Sequence, residues 1–246
     1  RLGGFDETLR VCEDYDLWLR ASLETRFGLV PEPLFLRRVH AQSLAHEDDP
    51  RHLDQKALVL ASLGRHEEAL GCFDKALELD PRNPGTWSNQ GISLEALGRS
   101  EDAVRSYDQA LEIAPRFAEA LYHRGLVLSR AGRPEEAVRS LDETLELEPR
   151  NADAWATKGS DLDHLGRYEE AIRCFDKALE LDPKLATVWA AKAVSLGRLD
   201  RHEEALRCHD KVLEFDPRNV AAWNSRCLCL VSLDRYEEAV AGYDRV

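Results

Sequence analysis

Leu79-Asp80-Pro81-Arg82-Asn83 returns as Leu147-Glu148-Pro149-Arg150-Asn151 and again as Phe215-Asp216-Pro217-Arg218-Asn219. The prolines set the period: Pro81, Pro115, Pro149, Pro183 and Pro217 follow one another at 34 residues without a slip. Other columns keep the same phase. One is Trp87, Leu121, Trp155, Trp189 and Trp223. A second, four residues later, is Gly91, Gly125, Gly159, Ala193 and Cys227. A third is Ala69, Ala103, Ala137, Ala171, Ala205 and Ala239. A fixed period of this length marks stacked units. They run 50–83, 84–117, 118–151, 152–185, 186–219 and a cut-off 220–246.

Each unit reads as two helices. In the fourth, Trp155, Gly159 and Leu162 recur at helical spacing and stop at Leu165-Gly166-Arg167, where glycine supplies the backbone freedom that ends a helix. Tyr168-Glu169-Glu170-Ala171 then opens a second helix, its acids near the positive end of the dipole. The apolar face is Ala171, Ile172, Phe175, Ala178, Leu179 and Leu181. Asp182-Pro183 closes it, because the residue before proline is pushed out of helical geometry. Gly or Ala at the crossing lets two backbones approach, and the aromatic columns fill the rest. No unit can bury its apolar face alone, so the copies must stack.

The columns resemble the tetratricopeptide repeat (TPR), over about 50–246. The resemblance implies an all-α, right-handed superhelix of helix-turn-helix units whose concave face, lined by first helices, binds a protein or peptide. Local departures are Leu141 and His209 in the second-helix aromatic column and Asp200 and Asp234 in the turn-glycine column. The inward-facing positions include Arg51, Ser88, Glu119, Asp153 and Thr157; the groove candidates are Asp54, Asn89, Glu95, His123, Arg130, Asp163 and Arg198. They mix both charges. They form neither a Lys/Asn clamp for a terminal carboxylate nor a sustained asparagine ladder. Another column, Lys56, Gln90, Arg124, Lys158, Lys192 and Arg226, has two readings. It is a basic rail for an acidic peptide, or a set of long stems lying over the seam and paired with acids of the glutamate-rich second helices. The second is favoured. His66, His202, Cys72, Cys174 and Cys208 share columns with Tyr or Ser and read as packing residues.

The 246 residues are 43% hydrophobic and 32% charged, with a net charge of −13. An acidic chain with scattered basic residues is a poor match for nucleic acid or an anionic membrane. No apolar run is long enough to span a bilayer. The six cysteines contain no C-x-x-C pair, so neither zinc nor a disulfide framework is expected, and a reducing, cytoplasmic setting is. Methionine is absent and the chain starts at Arg1, which leads to the expectation of a segment cut from a longer protein at both ends.

Residues 1–49 fall outside the repeat and read as turn, helix, loop and short strand. Gly3-Gly4-Phe5-Asp6-Glu7, Glu13-Asp14-Tyr15-Asp16-Leu17-Trp18-Leu19-Arg20, Val30-Pro31-Glu32 and Arg38-Val39-His40 resemble, in order and spacing, the C-terminal end of family-2-type glycosyltransferase domains. That resemblance implies an α/β remnant of a GT-A fold. It casts Asp14 as the catalytic base, Glu13 as an acceptor contact and His40 as a residue near the donor pyrophosphate or its metal. The fragment itself carries no cofactor or metal site. The parent would use a nucleotide-sugar donor and a divalent metal held by residues upstream. A carboxylate suits the chemistry, since an attacking sugar hydroxyl must lose its proton. The competing reading makes Glu13, Asp14 and Asp16 a helix start and the chain a non-enzymatic adaptor with an N-terminal cap.

Overall fold

The computed structural model describes residues 49–245, and these form twelve α-helices joined by tight turns. The first helices of successive units are α1 (Pro50–Ser62), α3 (Pro84–Ala96), α5 (Ala118–Arg130), α7 (Ala152–His164), α9 (Ala186–Arg198) and α11 (Val220–Ser232). The second helices are α2 (His66–Leu79), α4 (Ser100–Ile113), α6 (Pro134–Leu147), α8 (Tyr168–Leu181), α10 (His202–Phe215) and α12 (Tyr236–Tyr243). No strand occurs among the described residues. The remnant expected in 1–49 lies almost wholly outside them.

The helix ends follow from side-chain chemistry. Asn83, Asn151 and Asn219 cap α3, α7 and α11, each side-chain oxygen accepting a backbone N–H two or three residues on. The turn inside each unit needs a left-handed residue. Gly64, Gly98, Gly132 and Gly166 take it at φ 73–74°, and Asp200 and Asp234 hold the same conformation at φ 56° and 59°. The substitution of aspartate there therefore leaves the turn geometry in place.

Within a unit the small column lets the helices touch. A Cβ on Gly91 would lie 2.6 Å from the Tyr107 ring, one on Gly159 2.6 Å from Phe175, and one on Gly125 2.9 Å from Leu141. These second-helix side chains are fully or almost fully buried. Between units the core is shared. Leu70 of α2, Leu94 of α3, Tyr107 of α4, Leu128 of α5 and Ala137 of α6 belong to one apolar cluster, so each unit completes its neighbour's core. The Trp column adds a staple: the indole Nε1 of Trp87, Trp155, Trp189 and Trp223 donates to the carbonyl of Pro81, Pro149, Pro183 and Pro217, each at 3.0 Å.

First helices of consecutive units touch one another (α1–α3, α3–α5, α5–α7, α7–α9), and no two second helices approach as closely. The first helices are therefore on the inside of the stack's curve. That places the candidate site.

Candidate partner-binding face

The bonds that cross from one first helix to the next join residues 28 to 35 apart, so the helices lie side by side in register. Three of the groove candidates meet at one point. Glu95, at the end of α3, pairs with Arg130 at the end of α5 and lies 3.6 Å from Nδ1 of His123. The Tyr107 hydroxyl donates to Glu95 at 3.4 Å. His123 is sandwiched by aromatics, with the Tyr107 ring stacked at 6.1 Å and the Tyr122 ring edge-on at 5.5 Å. Burial raises the Glu95 carboxyl, but His123 and Arg130 outweigh it and hold the group below its ordinary range. Burial, reinforced by Glu95, pushes the Tyr107 phenol well up.

The other candidates are separate. Burial raises the Asp54 carboxyl of α1, and the polar side chains of Thr86 and Asn89 on α3 offset it only in part. Asp163 accepts from the Ser195 hydroxyl of α9, while Arg198 is exposed at the end of α9. A bond of the same kind appears at Asp161, whose Oδ1 accepts from Ser129 at 2.6 Å. Asp161 is 1% exposed, its Oδ2 has no protein partner, and burial pushes the carboxyl up. Among the described residues no three His, Cys, Asp or Glu side chains are placed to hold a metal. Glu13, Asp14 and His40 lie outside the described residues.

From Gln90 to Arg226 the basic column is occupied from within. Arg124 and Arg226 each reach the aspartate 16 residues earlier, Asp108 and Asp210, at 2.6 Å. Lys158 and Lys192 pair likewise with Asp142 and Asp176, and Gln90 donates to Asp74 at 2.7 Å. Each acid comes from the second helix of the preceding unit, and it is an aspartate, not one of the abundant glutamates. Lys158, Lys192 and Arg226 also lie over the Trp155, Trp189 and Trp223 rings at 5.2–5.5 Å. Held on two sides, at the back of the first helices, these cations are joints between units and do not face the groove.

Two columns escaped the sequence reading. Arg65, Arg99, Arg133, Arg167, Arg201 and Arg235 precede the second helices, and each pairs with the acid three residues on. The other bears on function. Leu58, Ile92, Leu126, Val194 and Leu228 repeat at 34 or 68 residues, each just after the small crossing residue, with Ser160 filling the gap. They share a helix face with the groove candidates: Leu58 follows Asp54 by four, and Val194 precedes Arg198 by four. Leu58 is 42%, Val194 50% and Leu228 61% exposed. The signal was its period, hidden beside the stronger Gly/Ala column.

Family models of the tetratricopeptide repeat match residues 49–116, 94–160 and 152–185, together more than half of the 246 residues. The chain belongs to the tetratricopeptide-repeat family. The protein prenyltransferase alpha subunit repeat matches residues 202–233, which hold one second helix and the next first helix of the TPR array. Among solved structures the array is similar to YrrB, described as a TPR protein with an unusual peptide-binding site: 26% identity, TM-score 0.67, covering 72% of this chain and 91% of that one. MamA from Desulfovibrio magneticus RS-1 matches at 25% identity and TM-score 0.67, covering 70% and 98%. A TPR protein from Parabacteroides merdae, at 21% identity, TM-score 0.67 and 80% and 78% coverage, shares the fold. No curated protein sequence matches. The residues matched by TPR models begin at 49, and none of these matches bears on a glycosyltransferase segment.

Proposed function

We propose that the array is a scaffold that binds an extended or helical segment of another protein along the first-helix face. One observation carries this: an apolar column, Leu58 to Leu228, stands partly exposed on the inner face of the stack, beside polar groups already fixed by bonds between helices. Rigid apolar contacts with a few oriented polar groups are what a peptide site requires. The peptide-binding site named for YrrB supports the same use of the fold. The test is selection of displayed random peptides on the full chain. Binding of selected peptides should fall at least ten-fold on Leu126→Asp and stay unchanged on Lys177→Glu, which alters the outer side. The reverse pattern would refute the assignment.

We further infer from the phrases around Glu13-Asp14 that the array serves a nucleotide-sugar-dependent glycosyltransferase, recruiting its acceptor or an assembly partner. Asp14 would act as base and Glu13 as acceptor contact. The decisive assay is transfer by a longer protein containing an upstream nucleotide-binding half; activity that survives Asp14→Ala removes the base and favours the adaptor reading. The five described cysteines are all unpaired, which fits a reducing, cytoplasmic setting.

A further inference from the structure

The inner face is not uniform. Position two of the first helices reads Arg51, Gly85, Glu119, Asp153, Thr187, Ala221. Glu119 and Asp153 are therefore adjacent, both are exposed, and neither has an ion-pair partner among the described residues. Tyr122 follows Glu119 by three on α5 and is half-buried, and Asp153 raises its phenol after burial has done so first. Nearby Arg130 is neutralised by Glu95. Two open carboxylates with an aromatic ring near them form a box for a cation. Towards α11 the face becomes apolar: Val194 and Leu228 are exposed, and Val231, three residues after Leu228, is 39% exposed. The apolar column is broken only at Ser160, on the helix that carries Asp153.

Resting on the groove reading above, we propose that the segment bound there carries a lysine or arginine seated between Glu119 and Asp153, followed by apolar side chains over α9 and α11. Neighbouring first helices sit about 8–10 Å apart, and the box is about 10 Å along the helix from Val194. At about 3.3–3.6 Å per extended residue, and with alternate side chains on one face, the two apolar side chains fall about six and about eight residues from the cation. Attraction to the two carboxylates sets orientation and partner choice, and the apolar contacts hold the complex.

The experiment is fluorescence anisotropy of the full chain with a fluorescein-labelled Gly/Ser peptide carrying one lysine and leucines six and eight residues later. Replacing the lysine by glutamate should weaken binding at least ten-fold at low salt, with the gap closing as salt rises. The double variant Glu119→Gln/Asp153→Asn should abolish that preference, and Leu228→Asp should weaken both peptides. Equal affinity for the two peptides, or binding by neither, overturns the inference. Equal affinity that Leu228→Asp still weakens leaves the groove standing and removes only its charge preference. Binding untouched by Val194→Asp and Leu228→Asp would remove the groove assignment itself.

Discussion

Gly159 and Gly71 both sit inside helices, yet their substitution by alanine should have opposite signs. A methyl on Gly159 would meet Phe175 at 2.6 Å, whereas one on Gly71 meets nothing within 4 Å. We expect Gly71→Ala to stabilise by about 0.5–1 kcal/mol through backbone entropy. Gly159→Ala should destabilise by about 1–3 kcal/mol, since overpacking a buried ring outweighs that gain. Urea unfolding of the two variants measures both. His209 offers a second case. It occupies the aromatic column, is 5% exposed, and its Nδ1 has no partner. Burial holds its pKa below the ordinary 6.5. The folded state thus takes up the proton less readily than the unfolded one, so its contribution erodes as pH falls below the unfolded value. His209→Phe, which copies the phenylalanine that Phe73 places against Ala57 in the first unit, should raise Tm at pH 5 more than at pH 7. An equal rise at both would show that the imidazole does not sense the buried site.

At the scale of the element, the loop between units is held by its indole staple. Trp155→Phe keeps most of the ring but loses the bond to the Pro149 carbonyl, so we expect a loss of about 0.5–1.5 kcal/mol. Faster amide exchange should be confined to the α6–α7 loop and the start of α7. The third unit has Leu121 in that column, and Phe117 replaces the capping asparagine there. Its loop serves as an internal reference: it should already exchange faster than the loop at Pro149, and comparable protection would deny the staple its role.

Across the whole molecule, the helix pairs, turns and crossing residues were legible because each is a local rule copied at 34 residues. The two chemistries of the basic column were legible as alternatives, but the choice needed the register between a second helix and the following unit. Once Asp108 is seen beside Arg124, the constant offset of 16 residues is plain in the sequence. The bonds along the inner face were less accessible. Ser129–Asp161 and Asp163–Ser195 join the same two columns at an offset of 32 but exchange serine and aspartate, and Glu95–Arg130 is made once, so no constant residue type announces them. The apolar stripe was periodic and still missed, since an exposed leucine in a first helix looks like core until the packing is known. Function in a repeat array resides in such non-identical positions, which periodicity averages away.

The central claim is that ligands bind the first-helix face. It is tested most directly by a selected peptide carrying a photoreactive benzophenone, cross-linked to the full chain and mapped by mass spectrometry. Adducts are expected on first-helix residues such as Leu126, Val194 and Leu228, lost on competition with unlabelled peptide. Competable adducts confined to the second helices, around Arg105, Lys177 or Arg207, would contradict it.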